Sequence, residues 1–328
     1  MELFQVNPLT RRLTFMIPAS NADPHFATLI TQATGHQGQW TIKHLLAAGA
    51  KVHAIVRDPS KIPDVLKSPG VTIFKGESAN FDDVFQAAQG CVGVYLNTFP
   101  IPGLEAQQAK TIVEASKKAG LKSVVACTTM ATGHRDLWDD DITEQCHLRD
   151  YYRSKAEVED IVRASGLGAW TILRPAVIHV DYMLPGAQQN FPRLATHGEL
   201  DHFFDDGARM VQTDGHDIGR YAAAALRDPA RFGGHAIELG HENLTIEEVR
   251  DVLARVSGRE VGVKRLGLED GSPAMGQLFH LWANHKDFSA VVAAAKEAQV
   301  KFGIPFTSLE EALRRDRSRL LECLPVKA

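Results

Sequence analysis

The chain has 328 residues, 44% of them hydrophobic and 23% charged, with a formal net charge of −4. That length suffices for a full core in one large or two unequal domains, and the mild negative charge excludes broad electrostatic attraction to nucleic acid or acidic membranes. Four scattered cysteines (Cys91, Cys127, Cys146 and Cys323) form no CxxC pair, which argues against a zinc site or disulfide framework and suits a reducing, cytoplasmic setting. No apolar run approaches the roughly 20 residues that a membrane helix needs, so no membrane partner is expected.

Residues 1–26 read as an N-terminal arm. The apolar patch over 13–17 lacks the length and cleavage site of a secretory signal. Arg11 and Arg12 suit a transit peptide, but Glu2 and Asp23 count against one. From residue 27 the chain alternates. An apolar run over 27–31 is followed by Ala33-Thr34-Gly35-His36-Gln37-Gly38 and then by the helical run starting at Trp40. A strand, a glycine turn and a helix form the first unit of a dinucleotide-binding fold: Gly35 admits a pyrophosphate close to the backbone, Gly38 lets helix pack on strand, and the helix N-terminus offers free N–H groups. The usual pattern begins with a glycine where this chain has Gln32.

Strands are expected over 51–56, 71–74, 93–96, 123–127 and 170–173, with helices over 82–89, 106–119 (stopped by Gly120) and 152–165. This rhythm implies a parallel sheet covered on both faces, an α/β doubly wound Rossmann domain over 27–178. A long segment over 133–150, with Trp138 and the acidic run Asp139-Asp140-Asp141, reads as a lid or as a solvated turn. After Pro175 the rhythm breaks, and 177–214 reads as irregular. A helix over 217–227 and a strand over 235–239 return to the Rossmann domain within 213–240. Thr245 caps a helix running to Gly258, 260–264 is a short strand, and the remainder is helical. Residues 179–328 are therefore expected to be mainly a smaller C-terminal substrate-binding portion, with the ligand cleft beyond the strand C-termini.

Taken together, Ala33-Thr34-Gly35-His36-Gln37-Gly38, Ile55-Val56-Arg57-Asp58-Pro59, Lys155-Ala156-Glu157-Val158-Glu159, Leu173-Arg174-Pro175, Asp217-Ile218-Gly219, Leu244-Thr245-Ile246-Glu247-Glu248-Val249 and Phe306-Thr307-Ser308-Leu309-Glu310-Glu311 give the chain its resemblance to the NmrA-like family of atypical short-chain dehydrogenases/reductases. That family holds both reductases of small organic compounds and non-catalytic sensors of nicotinamide nucleotides, so the resemblance leaves function open.

For the cofactor, Thr34, Gly35, His36, Gln37 and Gly38 are expected around the pyrophosphate. Arg57 stands at the end of the second strand, where a guanidinium can pair with a 2′-phosphate, and this favours NADP(H) over NAD. The neighbouring Asp58 either takes ribose hydroxyls or opens an ordinary turn. The resemblance implies that Glu77 borders the adenine, although a surface loop residue reads equally well there. Asn97 and Thr98 are expected beside the nicotinamide ribose.

Tyr151 and Lys155 lie four apart and so share a helix face. An ammonium beside a phenol favours the phenolate, which makes the pair a usable proton donor and support for a carbonyl oxygen. The resemblance puts the superfamily's catalytic pair at this point, with Lys155 also on the ribose. The alternative is that Tyr151 only packs and Lys155 only binds nucleotide. The superfamily's Ser/Thr at the end of the fifth strand corresponds either to Met130, which cannot donate, or to its neighbour Thr129. His179, Asp181, Tyr182 and Met183 are expected to face a flat, mostly apolar substrate. Phe279, His280, Trp282 and His285 either join that wall or, for Phe279 and Trp282, fill the core.

No metal is expected: His197, His202, Asp205 and Asp206 share no ligand geometry. Arg314, Arg315, Arg317 and Arg319 read as a solvated helix face, not a nucleic-acid stripe. The reading that follows is an NADPH-dependent oxidoreductase acting on a small carbonyl-containing or conjugated compound, aromatic ones included. Its alternatives are a non-catalytic nucleotide sensor with a protein partner, or an isomerase or lyase on the same scaffold.

Overall fold

The computed structural model describes residues 27–326. The arm expected over 1–26 lies outside them. Strands β1 (Ala27–Ile30), β2 (Lys51–Val56), β3 (Val71–Lys75), β4 (Cys91–Leu96), β5 (Ser123–Cys127), β6 (Ala169–Arg174) and β7 (His235–Glu238) form one parallel sheet in the order β7-β6-β5-β4-β1-β2-β3. Order reverses between β1 and β4, so a crevice opens there, beyond the strand C-termini.

Helices cover both faces, and the strand residues divide between them by alternation. Val125 and Cys127 pack with Ile42 and Leu45 of α1 (His36–Ala47) and Ile218 and Tyr221 of α5 (Gly215–Arg227). Val124 and Ala126 face the other way. They meet Val84 of α2 (Phe81–Ala88), Ile112 of α3 (Leu104–Ala119) and Val158 of α4 (Arg149–Arg163). Each such fully buried aliphatic side chain contributes about 1.5–3 kcal/mol. Helices α1 and α5 approach closely because Gly219 has no side chain: a Cβ there would sit 2.5 Å from the Trp40 carbonyl carbon.

The chain leaves the sheet after β6 and returns as α5 and β7. The span 177–214, read as irregular, contains short strands at Val177–Ile178, Glu199–His202 and Met210–Thr213. These pair with each other, with Glu242–Leu244 and with Gly262–Arg265 in two small sheets. At two to four residues they are too short for pattern reading to resolve, and Glu199 and Asp201 break the apolar run in one of them. Helix α6 (Ile246–Ser257) begins in a full capping box of Thr245 and Glu248.

The 133–150 segment is structured, with Asp139 and Asp141 of its acidic run exposed to solvent. It holds short helices at Arg135–Trp138 and Asp141–Gln145. Trp138 is buried and stacks on Tyr152, with its indole N–H donating to the Thr132 carbonyl at 3.1 Å. Asp140 caps the second short helix through Thr143 and is ion-paired with Lys286. Trp282 fills the core and donates to the Thr143 hydroxyl at 3.0 Å.

The terminal arginines are also tied down. Arg315 grips Asp214 and lies over the Trp40 ring, and Arg317 donates to the Val256 and Ser257 carbonyls that end α6. Arg314, Arg315 and Arg317 are exposed, as expected of a solvated face, and Arg315 and Arg317 also tie the last helices to the rest of the chain.

Candidate active site

At the crevice, Gln32 takes a left-handed backbone (φ 49°), the region a glycine occupies at little cost. Gly35 is the N-cap of α1 and supplies no side-chain hydrogen bond to it, so the first-turn amides keep their donors free of intrahelical partners. A Cβ on Gly38 would lie 2.6 Å from the Gln32 carbonyl oxygen, so this position requires glycine. Thr34 and Gly35 are exposed. The Gln37 side chain turns inward, where its Oε1 accepts from the Tyr95 hydroxyl (3.0 Å) and from Asn97 Nδ2 (3.4 Å). Thr31 Oγ1 accepts the Asn97 amide at 2.9 Å and so fixes the end of β4 beside the turn. His36 is held neutral by burial, which lowers it to about 4.

Arg57 is exposed at the end of β2. Asp58 is engaged as a cap, accepting from the Ser60 amide (3.0 Å) and hydroxyl (2.6 Å). Of its two readings the structure therefore favours the turn. Glu77 is exposed after β3, and its own amide donates to Asp83 at 3.0 Å.

Tyr151 and Lys155 both lie on α4, with Lys155 Nζ 5.5 Å from the Tyr151 ring centroid. The residue that pattern reading missed is Glu105, in the first turn of α3. Its Oε1 accepts from Lys155 Nζ at 2.6 Å and from the Thr98 hydroxyl at 2.7 Å. The lysine and glutamate side chains are 6% and 1% exposed, so this is a buried ion pair. Burial opposes the ammonium, but Tyr151 and Glu105 outweigh it and hold Lys155 above its ordinary value. An acid on the buried stripe of α3, beside Ala106, Gln108 and Ala109, was the one sequence signal available.

A second buried network sets the loop after β5. Arg174 donates to both Glu159 oxygens (2.9 and 2.7 Å) and to Glu238 (3.2 Å), while Thr128 donates to Glu159 at 2.9 Å. Burial opposes the Glu159 charge, yet Arg174 keeps it low. Burial prevails at Glu238, which rises to about 7.

Beyond this loop lies a cavity of about 210 Å³. Thr129 and Met130 both line it, as do Tyr151, Tyr152 and Tyr182. Tyr182 donates to Gln212 Oε1 at 3.1 Å. His179 and Met183, expected to face substrate, are not among the lining residues. Both are buried, and His179 sits with its two ring nitrogens unpartnered, lowered by burial to about 4. The short helical turn His179–Tyr182 explains the division, since it sends successive side chains in different directions. Phe279 and His280 line the cavity, and His285 is exposed. Asp181, expected at the wall with them, does line the cavity.

His197, His202, Asp205 and Asp206 do not converge: both aspartates bind Arg265, while His202 Nδ1 accepts the Phe204 amide. Among the described residues one trio, Asp214, His216 and Asp217, could hold a metal ion. Both of its carboxylates are already bound, to Arg315 and to Arg220 and Thr307. No helix of the described residues is long and apolar enough to cross a membrane.

The model of the NmrA-like family matches residues 27–274. Quinone oxidoreductase 2 of Escherichia coli (strain K12) is 28% identical over 253 residues, covering 75% of this chain and 80% of that protein. The (4-alkanoyl-5-oxo-2,5-dihydrofuran-3-yl)methyl phosphate reductase of Streptomyces griseus is 26% identical over 247 residues, covering 75% of this chain and 79% of that protein. Among solved structures, NmrA, a negative transcriptional regulator, in complex with NADP, aligns with a TM-score of 0.70 at 21% identity, over 90% of this chain and 97% of that one. At that identity the likeness shows a shared fold.

Proposed function

The chain belongs to the NmrA-like family, and on that premise we propose that it is an NADPH-dependent oxidoreductase acting on a small carbonyl-containing or conjugated compound. The observation that carries this reading is Tyr151 on the cavity wall with the buried Lys155 ammonium beside its ring. The fit for a dinucleotide rests on the uncapped first turn of α1 and on Gly38, where a Cβ would fill the space against the Gln32 carbonyl. Its pyrophosphate would be held by Thr34, Gly35, His36, Gln37 and Gly38, its 2′-phosphate by Arg57, and its adenine edge by Glu77. Asn97, Thr98 and Lys155 would flank the second ribose. When bound, the nucleotide supplies a hydride. Tyr151 holds the proton that a reduced carbonyl oxygen needs, and Lys155 keeps the phenol oriented and its anion stabilised. Thr129 orients the substrate oxygen. Tyr182 and the aromatic wall hold the substrate flat and keep water out.

One observation favours the nucleotide-sensor alternative. The Lys155 charge is already matched by Glu105 at 2.6 Å, which reduces what it lends to Tyr151. A panel of quinones, aromatic ketones and enones, followed by NADPH oxidation, separates the two. Turnover that depends on Tyr151 supports the enzyme. Tight nucleotide binding without turnover of any compound, together with a nucleotide-dependent partner complex, supports the sensor.

A further inference from the structure

Charge narrows what the cavity can hold. Among the described residues that line it no lysine or arginine is present, and the single carboxyl, Asp181, is pushed up by burial to about 7, so it is ionised in part at neutral pH and fully above it. Lys155, next to the Tyr151 ring, spends its charge on Glu105. The rest of the wall is aromatic and aliphatic, with His280 stacked between Phe191 (5.1 Å) and Phe204 (4.2 Å). Burial lowers His280 to about 3, so its ring is neutral at ordinary pH and offers no cation.

An anionic group entering this space would shed its hydration and gain no counter-charge, while meeting the Asp181 carboxyl. A neutral hydroxyl or amino group would instead donate a hydrogen bond to the Asp181 carboxyl on the wall. Size narrows the choice further. An apolar cavity of about 150 Å³ admits benzene, so about 210 Å³ admits one or two rings.

We propose that the cavity takes an uncharged aromatic compound of one or two rings bearing a hydroxyl or amino group, and that Asp181 is the specificity residue that turns away carboxylated, sulfonated and phosphorylated analogues. This rests on the reading of the cavity as the substrate site, but it concerns binding and is tested without turnover.

Calorimetric titration of the full chain with 2-naphthol and with naphthalene-2-sulfonate at pH 8, above the value of about 7 to which burial raises Asp181, is the experiment. The naphthol is expected to bind at least about tenfold more tightly. Asp181→Asn should strengthen sulfonate binding and bring the two within about threefold. Asn190→Lys, which puts a cation on the half-buried lining position Asn190, should also favour the sulfonate, and it covers the case in which Asp181→Asn fails to fold. Equal affinities in the parent protein, no measurable naphthol binding, or an unchanged ratio in both folded variants would overturn the proposal. Failure of the oxidoreductase reading looks different: no compound is reduced, yet the naphthol preference persists.

Discussion

On the sheet side of the crevice, the turn after β1 presents backbone amides to solvent, and the guanidinium of Arg57 stands exposed beyond β2. On the far side, the cavity is walled by aromatic rings and carries one carboxyl and no cation. The first surface suits a large, highly charged, well-hydrated ligand. The second suits a small and nearly apolar one. Tyr151 and Lys155 stand between them, so whatever connects the two ligands passes through α4. The contrast teaches that one short helix face has to serve two solvents, which accounts for a lysine whose charge is buried and pre-matched.

Removing that junction is the severest way to break the contrast. Tyr151→Phe is expected to slow turnover roughly 10²–10⁴-fold while leaving the NADPH dissociation constant unchanged, measured by steady-state kinetics and calorimetry. Glu105→Gln strands the Lys155 ammonium in the interior, and urea unfolding should show a loss of roughly 3–5 kcal/mol. Adding Lys155→Met should recover part of it.

The two regions can next be compared through protons. His36, His44 and His179 are lowered by burial to about 4, and His280 to about 3. Each is depressed below its unfolded value, so each leaves stability intact above about pH 6.5 and withdraws it as pH falls toward 4, on the order of 3 kcal/mol per group when complete. Urea midpoints measured from pH 7 to 4 should fall, though less than the histidines alone dictate, because Glu238 and Asp181, raised to about 7, favour the fold as they take up protons. His179→Phe, which replaces two unpartnered nitrogens by an apolar ring, should flatten the curve.

On the nucleotide side, Arg57→Ala should cost roughly 1.5–3 kcal/mol in NADPH binding and little in NADH binding, which calorimetry reads directly. Equal affinity of the parent protein for the two nucleotides would remove Arg57 from its role. The smallest effect expected is a gain. Gln32→Gly relieves the left-handed backbone and should stabilise the fold by roughly 0.5–1 kcal/mol, with nucleotide binding kept or improved, as thermal melts with and without NADPH would show.

The same contrast decides what could be read from sequence. The turn from Gln32 to Gly38, the strand ends at Arg57 and Asn97, and the Tyr151–Lys155 spacing are local patterns, each written within a few consecutive residues. The cavity is assembled from β5, the 177–213 span, α6 and the helix Leu278–Ala283, which meet only in three dimensions. Asp181 and His280 were therefore legible only as members of larger sets of wall candidates, and in the stretch 179–183 alternation could not tell which side chains face inward. Glu105 was hidden for another reason: an acid in a helix's first turn usually serves the helix dipole at the surface, and here it is buried against a lysine 50 positions away.

The late return of α5 and β7 to the sheet has a consequence for dissecting the molecule. A fragment ending at residue 178 would keep every pattern that identifies the nucleotide side, yet β6 would lose its neighbour and become an open, apolar edge. The faces of Ile42, Leu45 and Val125 that α5 covers would be laid bare to water. Such a fragment should aggregate. Expressed beside a separate 179–328 piece it should recover, because the missing wedge would then arrive from a second chain.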